Sequence, residues 1–127
     1  LLTMGSMGET AEIAVDEMRK DGIPVGLVKL KLWRPFPFEE LRNAVKGAKS
    51  LAVMDRALSC GGPGGPVFAE IRSALYDAPK KPKTLNFIIG LGGRDVTVMD
   101  FVEMAKKTAS AKKLNPEDAY ELYGVRE

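Results

Sequence analysis

The sequence predicts an α/β fold: a three-layer α/β/α arrangement, doubly wound around a mostly parallel sheet of about four to five strands. Three observations predict it. Short apolar runs alternate with longer stretches of helical periodicity four times along the 127 residues. The runs Ser50–Asp55 and Thr84–Ile89 are mostly apolar rather than alternating, as strands covered on both faces are. Each run gives way to its helical stretch through a turn holding glycine or proline, which supplies the crossovers of a parallel sheet.

Taken in order, residues 1–4 form the first apolar run, and Ser6-Met7-Gly8-Glu9 has the form of a capping box, with Ser6 as N-cap and Glu9 three residues on. Ala11, Ala14, Val15 and Met18 then fall on one helical face, with Glu12, Asp16, Arg19 and Lys20 on the other. Gly22 ends this helix, and Pro24 forbids its continuation. Val25–Leu32, with Lys29 and Lys31 alternating, reads as a strand whose far end reaches solvent. Arg34-Pro35-Phe36-Pro37 is held out of helix by its prolines, and Pro37 suits the first turn of a helix burying Phe38, Leu41 and Val45 up to Gly47. Ser50–Asp55 is the third strand. Arg56–Gly65 is a long glycine turn, and Pro66 starts a helix burying Val67, Ile71, Ala74 and Leu75. After a solvated connection at Asp77–Lys83, Thr84–Ile89 is the fourth strand and Gly90–Asp95 its exit loop. Thr97 and Asp100 form a second capping box over a helix burying Val98, Phe101, Val102 and Ala105. Asn115-Pro116 opens a short terminal helix, and Gly124–Glu127 reads as loose. The expected division is a domain at 1–109 and a C-terminal extension at 110–127. The apolar opening Leu1-Leu2, without an initiator methionine, reads as the start of a fragment of a longer subunit.

Composition narrows the chemistry. With no histidine, the chain holds no Ser-His-Asp or Cys-His relay and no His-ligated zinc. A single cysteine cannot form an internal disulfide or hold an iron–sulfur cluster, and it points to a reducing, cytoplasmic compartment. The net charge of +2 is spread evenly along the chain, which argues against nucleic acid, and no run approaches the ~18 apolar residues of a membrane span.

Right-handed crossovers put every strand-to-helix turn on one edge of the sheet, where such folds place ligands. Arg34, Arg56 and Arg94 follow three of the four strands and are candidates to converge there with Asp55 and Asp95, either gripping an anion or bracing loops against a neighbouring domain. The arginines beside the two aspartates favour the ionised carboxylate, so neither is suited to acid–base work. Gly61, Gly62, Gly64, Gly65, Gly92 and Gly93 invite a phosphate site, yet neither G-x-G-x-x-G nor a glycine loop ending in Gly-Lys-Ser/Thr is present, and turn geometry explains them. Cys60 reads as a small loop side chain. Trp33, Phe36 and Phe38 read as the lid of the core or as a contact for another subunit, and the lysines at Lys80–Lys83, Lys106, Lys107, Lys112 and Lys113 as solvated faces.

Taken together, Thr3-Met4-Gly5-Ser6, Arg34-Pro35-Phe36-Pro37, Asp55-Arg56 before a glycine turn, and Gly92-Gly93-Arg94-Asp95-Val96-Thr97 resemble the second domain of the α subunit of 2-oxoacid:ferredoxin oxidoreductases, most closely the pyruvate enzymes (pyruvate synthases). The similarity covers about residues 1–105. It implies a transketolase C-terminal-like domain with strands in the order 2-1-3-4 and one antiparallel strand ahead of the segment seen here. It also implies a parent that uses thiamine diphosphate, magnesium, iron–sulfur clusters and coenzyme A to decarboxylate pyruvate oxidatively and reduce ferredoxin. The family's diphosphate-binding Gly-Asp-Gly motif and cluster cysteines are absent, so no catalytic residue carries over and this piece is expected to bind none of those groups. Its partners are then the other domains and subunits of the same enzyme, and its part is structural. The alternatives are a domain binding coenzyme A or a nucleotide at the strand-exit edge, and the C-terminal domain of another thiamine enzyme.

Overall fold

The computed structural model of the chain describes residues 1–112 and 120–125. Its core is the pair β3 (Ser50–Asp55) and β4 (Lys83–Ile88), six residues each and parallel in full register from Ser50 opposite Lys83 to Asp55 opposite Ile88. β1 (Leu2–Met4) pairs with β3 on one side and with β2 (Val28–Leu30) on the other, and β5 (Tyr120–Leu122) adds to β4. The order is β2-β1-β3-β4-β5, and every described pairing is parallel. The expected order 2-1-3-4 stands, extended by a strand from the C-terminal residues that the sequence reading did not anticipate.

Alternation along the strands builds the two apolar layers. Ala52, Met54, Leu85 and Phe87 face α1 (Met7–Lys20) and α4 (Val98–Ser110), while Leu2, Leu30, Leu51 and Val53 face α2 (Phe38–Ala44) and α3 (Pro66–Leu75). Burying Phe68, Phe87 and Phe101 completely contributes on the order of 2 kcal/mol each. Phe68 and Met104 join the core although the helical pattern did not single them out.

Local departures from expectation have physical reasons. Ser6 sits at the start of α1 with helical backbone angles, φ −60° and ψ −25°, so its hydroxyl cannot turn back onto the first turn and no capping box forms with Glu9. The strand expected over Val25–Leu32 shortens to Val28–Leu30 because its partner β1 is three residues long and offers no further ladder. Pro37 is the N-cap of α2 rather than part of its first turn, and Phe38 is 45% exposed while Leu41 and Val45 are buried. Gly124 is not loose: Tyr123 and Gly124 form a turn in which Tyr123 N–H donates to the Ile88 carbonyl at 3.0 Å, and the Tyr123 ring meets Phe87 edge-on at 6.2 Å. The helix expected at Asn115-Pro116 lies outside the described residues, as do residues 126–127.

The second capping box is present in full. Thr97 N–H donates to Asp100 Oδ2 at 2.7 Å, and Asp100 N–H donates to Thr97 Oγ1 at 3.2 Å. Burial would push the Asp100 carboxyl up. The donors from Thr97, the Tyr123 hydroxyl and the nearby charge of Arg94 outweigh it and hold the group below the ordinary 3.8. A carboxylate depressed by folding adds stability above its unfolded pKa and loses it as pH falls through the folded value. Thr97→Ala should therefore cost about 1 kcal/mol in urea unfolding at pH 7. The advantage of the parent over Asp100→Asn should be present at neutral pH and disappear as pH drops below 3.8; a gap that persists in acid would contradict the capping geometry.

Candidate functional site

The strand-exit edge is organised around one buried carboxylate. Asp55, the last residue of β3, is 3% exposed. It accepts from Val67 N–H at 2.8 Å through Oδ1, and from Phe68 N–H and Asn86 Nδ2 at 3.0 Å each through Oδ2. Val67 and Phe68 are the second and third residues of α3, and Pro66, the first, has no N–H to satisfy. The N-cap position is Gly65, which has no side chain to cap with, so the strand residue Asp55 supplies the cap across the turn. Asn86, 1% exposed on β4, completes the arrangement. Its amide nitrogen also donates to the Val53 carbonyl at 3.0 Å, and its oxygen accepts from Gly65 N–H at 2.8 Å.

This closeness dictates the glycines. A Cβ on Gly65 would lie 2.1 Å from Asp55 Cγ, and one on Gly64, at φ +143°, would lie 2.7 Å from Asn86 Oδ1. Gly61 is exposed, Gly62 folds against Ser59, and Gly92 and Gly93 stand at positive φ on the exposed exit turn of β4 with open space around them. Burial pushes the Asp55 carboxyl above its ordinary pKa, and the three donors offset this only in part. The expectation that Arg56 would favour its ionised form is corrected, because the Arg56 side chain turns away and reaches the Gly90 carbonyl at 3.4 Å.

The three arginines do not meet in one cluster. Arg34 lies over the Trp33 ring at 4.7 Å, donates to the Trp33 carbonyl at 2.7 Å and pairs with Glu70 of α3 at 3.0 Å. Arg56 and the Arg94 loop both approach Gly90, and the Arg94 guanidinium lies against Gly124. Asp95 is exposed beside them. Tyr123 connects this corner to α4, donating to Glu103 at 2.6 Å, and burial followed by that carboxylate raises its phenol well above the ordinary 10.0. Cys60 is exposed on the glycine turn. Trp33, Phe36 and Phe38 stack edge-on at 5.8 and 5.1 Å, with Phe36 buried and Phe38 facing solvent.

Asp55, Arg34 and Arg56 are thus held by the chain's own loops and helix ends, Arg94 and Asp95 are exposed, and Asn86, which holds Asp55 in place, escaped the sequence reading. The available signal was an asparagine in the middle of an otherwise apolar strand, which has to find polar partners once buried. Gly65→Ala should lower stability by about 3 kcal/mol, because the added methyl must displace the buried carboxylate. Asp55→Asn should lower it by about 2 kcal/mol, because its NH2 turns a donor toward donors. Gly92→Ala, where space is open, should cost only about 1 kcal/mol for its backbone conformation. Equal losses for Gly65→Ala and Gly92→Ala in denaturant titrations would contradict this geometry.

Comparison with known proteins agrees with the fold and motifs. The family model described as pyruvate:ferredoxin oxidoreductase core domain II matches residues 1–101. The ketoisovalerate oxidoreductase subunit VorA of Pyrococcus furiosus is 44% identical over 117 residues, covering 90% of this chain and 29% of the relative. The pyruvate synthase subunit PorA of Methanothermobacter thermautotrophicus is 37% identical over 127 residues, covering all of this chain and 30% of the relative. PorA of Thermotoga maritima is 40% identical over 96 residues, covering 76% of this chain and 24% of the relative. The chain spans about three-tenths of the length of the first two and a quarter of the third. It belongs to the pyruvate:ferredoxin oxidoreductase core domain II family.

Proposed function

We propose that the chain is an organising domain of the α subunit of a 2-oxoacid:ferredoxin oxidoreductase, and that it positions the other domains and subunits around an active site elsewhere. The observation that carries this is the engagement of the buried carboxylate Asp55 and of the start of α3 by the chain itself. The amides that begin α3 are taken by Asp55 and those of α4 by the Thr97–Asp100 box, while Arg34 and Arg56 hold Glu70 and the Gly90 carbonyl. Two of the four helix starts and two of the three guanidinium groups that could grip a substrate or diphosphate anion in a fold of this kind are thus engaged, while α1 and α2 carry no side-chain cap and Arg94 is exposed.

The parent chemistry, oxidative decarboxylation of a 2-oxoacid to its coenzyme A thioester with electrons passed to ferredoxin, calls for thiamine diphosphate, magnesium and iron–sulfur clusters. The residues here do not fit those groups. The one thiol, Cys60, lies exposed on a turn, and both oxygens of Asp55 are occupied by donors of the chain itself. We assign no step of that chemistry to this chain. Relatives named for pyruvate and for ketoisovalerate match it to a similar degree, which sets the proposal at the level of branched or unbranched 2-oxoacids, with pyruvate expected from the motifs. We infer a cytoplasmic enzyme, a reading that the single cysteine supports because it suits a reducing compartment.

In the assembled oxidoreductase, Arg34→Ala and Arg56→Ala should leave 2-oxoacid-dependent reduction of ferredoxin within about twofold of the parent while lowering the thermal stability of the complex. Loss of a charge-stabilising catalytic group costs on the order of a hundredfold or more. A fall of that size with the complex intact would overturn the proposal.

A further inference from the structure

The strand-entry edge, opposite the one just described, has a different character. Charge is even along the sequence and mixed at both edges, since Lys31, Arg34, Arg56 and Arg94 stand at the exit and Asp21 caps the end of α1 at the entry, but the helix ends and the connections after α2 and α3 lean basic at the entry. Glu9, Glu39, Glu40 and Asp100 stand in the first turns of helices at the strand-exit edge, and the helices end in basic residues at the other. Helix dipoles account for Arg19 and Lys20 at the end of α1 and Lys107 at the end of α4. They do not account for Lys46, Lys49, Lys80 and Lys81, which lie beyond the helices in the connections leading to β3 and β4, all exposed. Asp77 is the one carboxylate in those two connections.

Within this basic edge opens a cleft of about 720 Å³, walled by Ile23, Val25, Leu27, Val45 and Ala105 and carrying Lys49 and Lys106. Ile23, Val25 and Leu27 pack on the core yet remain partly exposed. A buried-aliphatic centre with a charged rim is the anatomy of a protein contact, in which an apolar anchor fills the centre and charges on the rim set register. Most of the length of the matched relatives lies outside the part this chain matches.

We propose that the strand-entry cleft is a docking surface for an acidic polypeptide segment of the same oxidoreductase, which inserts an apolar side chain between Ile23, Leu27 and Val45 and sets carboxylates against Lys49 and Lys106. This inference rests on the reading of the chain as an organising domain. It further assigns the contact to the strand-entry edge and gives the partner its sign of charge. Polypeptide carboxylates suit this surface better than a small anion, because the C-terminal ends of α1, α2 and α4 face it and repel a free anion that brings no apolar anchor.

The test is zero-length carbodiimide coupling of lysine to carboxylate in the assembled oxidoreductase, read by peptide mass spectrometry. The expected result is isopeptide bonds from Lys49 or Lys106 to Asp or Glu of polypeptide outside these 127 residues, absent from Lys31 on the strand-exit edge and falling at least fivefold in 0.5 M salt. Lys49→Gln with Lys106→Gln should abolish them with the fold retained, and Lys49→Glu with Lys106→Glu should weaken assembly. Full reactivity of both lysines toward an acetylating ester in the intact complex, with no such bonds, would overturn the inference. So would coupling that appears only when ferredoxin is added, since the partner would then be the electron carrier. If the chain assembles with no other subunit at all, the organising-domain reading itself fails, a result distinct from either.

Discussion

The burial of the Asp55 carboxylate against the first turn of α3 is the constraint on which the central part of this fold depends. A helix that begins Gly65-Pro66 has no side chain of its own with which to satisfy its leading amides, and those amides are buried against β3 and β4. A carboxylate delivered from the end of β3 satisfies them, and Asn86 on the neighbouring strand fixes its orientation while tying the preceding turn to the sheet. Three consequences follow from that single contact. Gly64 and Gly65 cannot carry side chains, the crossover from β3 to α3 has one path, and the N-terminal dipole of the helix is neutralised from inside.

This inside solution separates the domain from the many α/β folds that leave a helix N-terminus open to a ligand. In those, anion binding and catalysis occupy the strand-exit edge. Here a carboxylate occupies the start of α3, a capping box the start of α4, and Arg34 and Arg56 hold groups of the chain itself, while the tail strand β5 with Tyr123 covers the outer corner. What remains open to other molecules is surface: the aromatic steps at Trp33 and Phe38, and the basic strand-entry edge with its apolar cleft. On the proposed reading, a domain built this way acts within an oxidoreductase through shape and contact.

Much of this was legible in the sequence. The apolar blocks at 50–55 and 84–89 name the central strands, because only strands buried on both faces tolerate such composition, and the Thr97–Asp100 spacing names a helix start that the structure reproduces in full. The same signal misled at Ser6–Glu9, because the spacing of a capping box says nothing about whether the preceding glycine, here at φ +76°, leaves the serine in helical rather than extended geometry. β5 was not read because three residues carry no periodicity and its pairing with β4 is set by docking of Tyr123 on Phe87, a contact between distant parts of the chain. At the candidate site, Asp55 and the arginines were visible as residues after strands. Their partners were not, since Arg34 to Glu70 and Asp55 to Asn86 span 36 and 31 positions and depend on how strands and helices pack.

Backbone amide exchange measured by NMR for Val67 and Phe68 bears on the Asp55 contact most directly. Amides in the opening turn of a helix ordinarily lack intrahelical acceptors and exchange quickly when they face water. The account predicts protection of these two amides equal to that of Val53 and Phe87 in the central strands, falling together when Asp55 is replaced by alanine. Exchange of Val67 and Phe68 at the rate of exposed loop amides such as Gly92, with Val53 and Phe87 still protected, would contradict it.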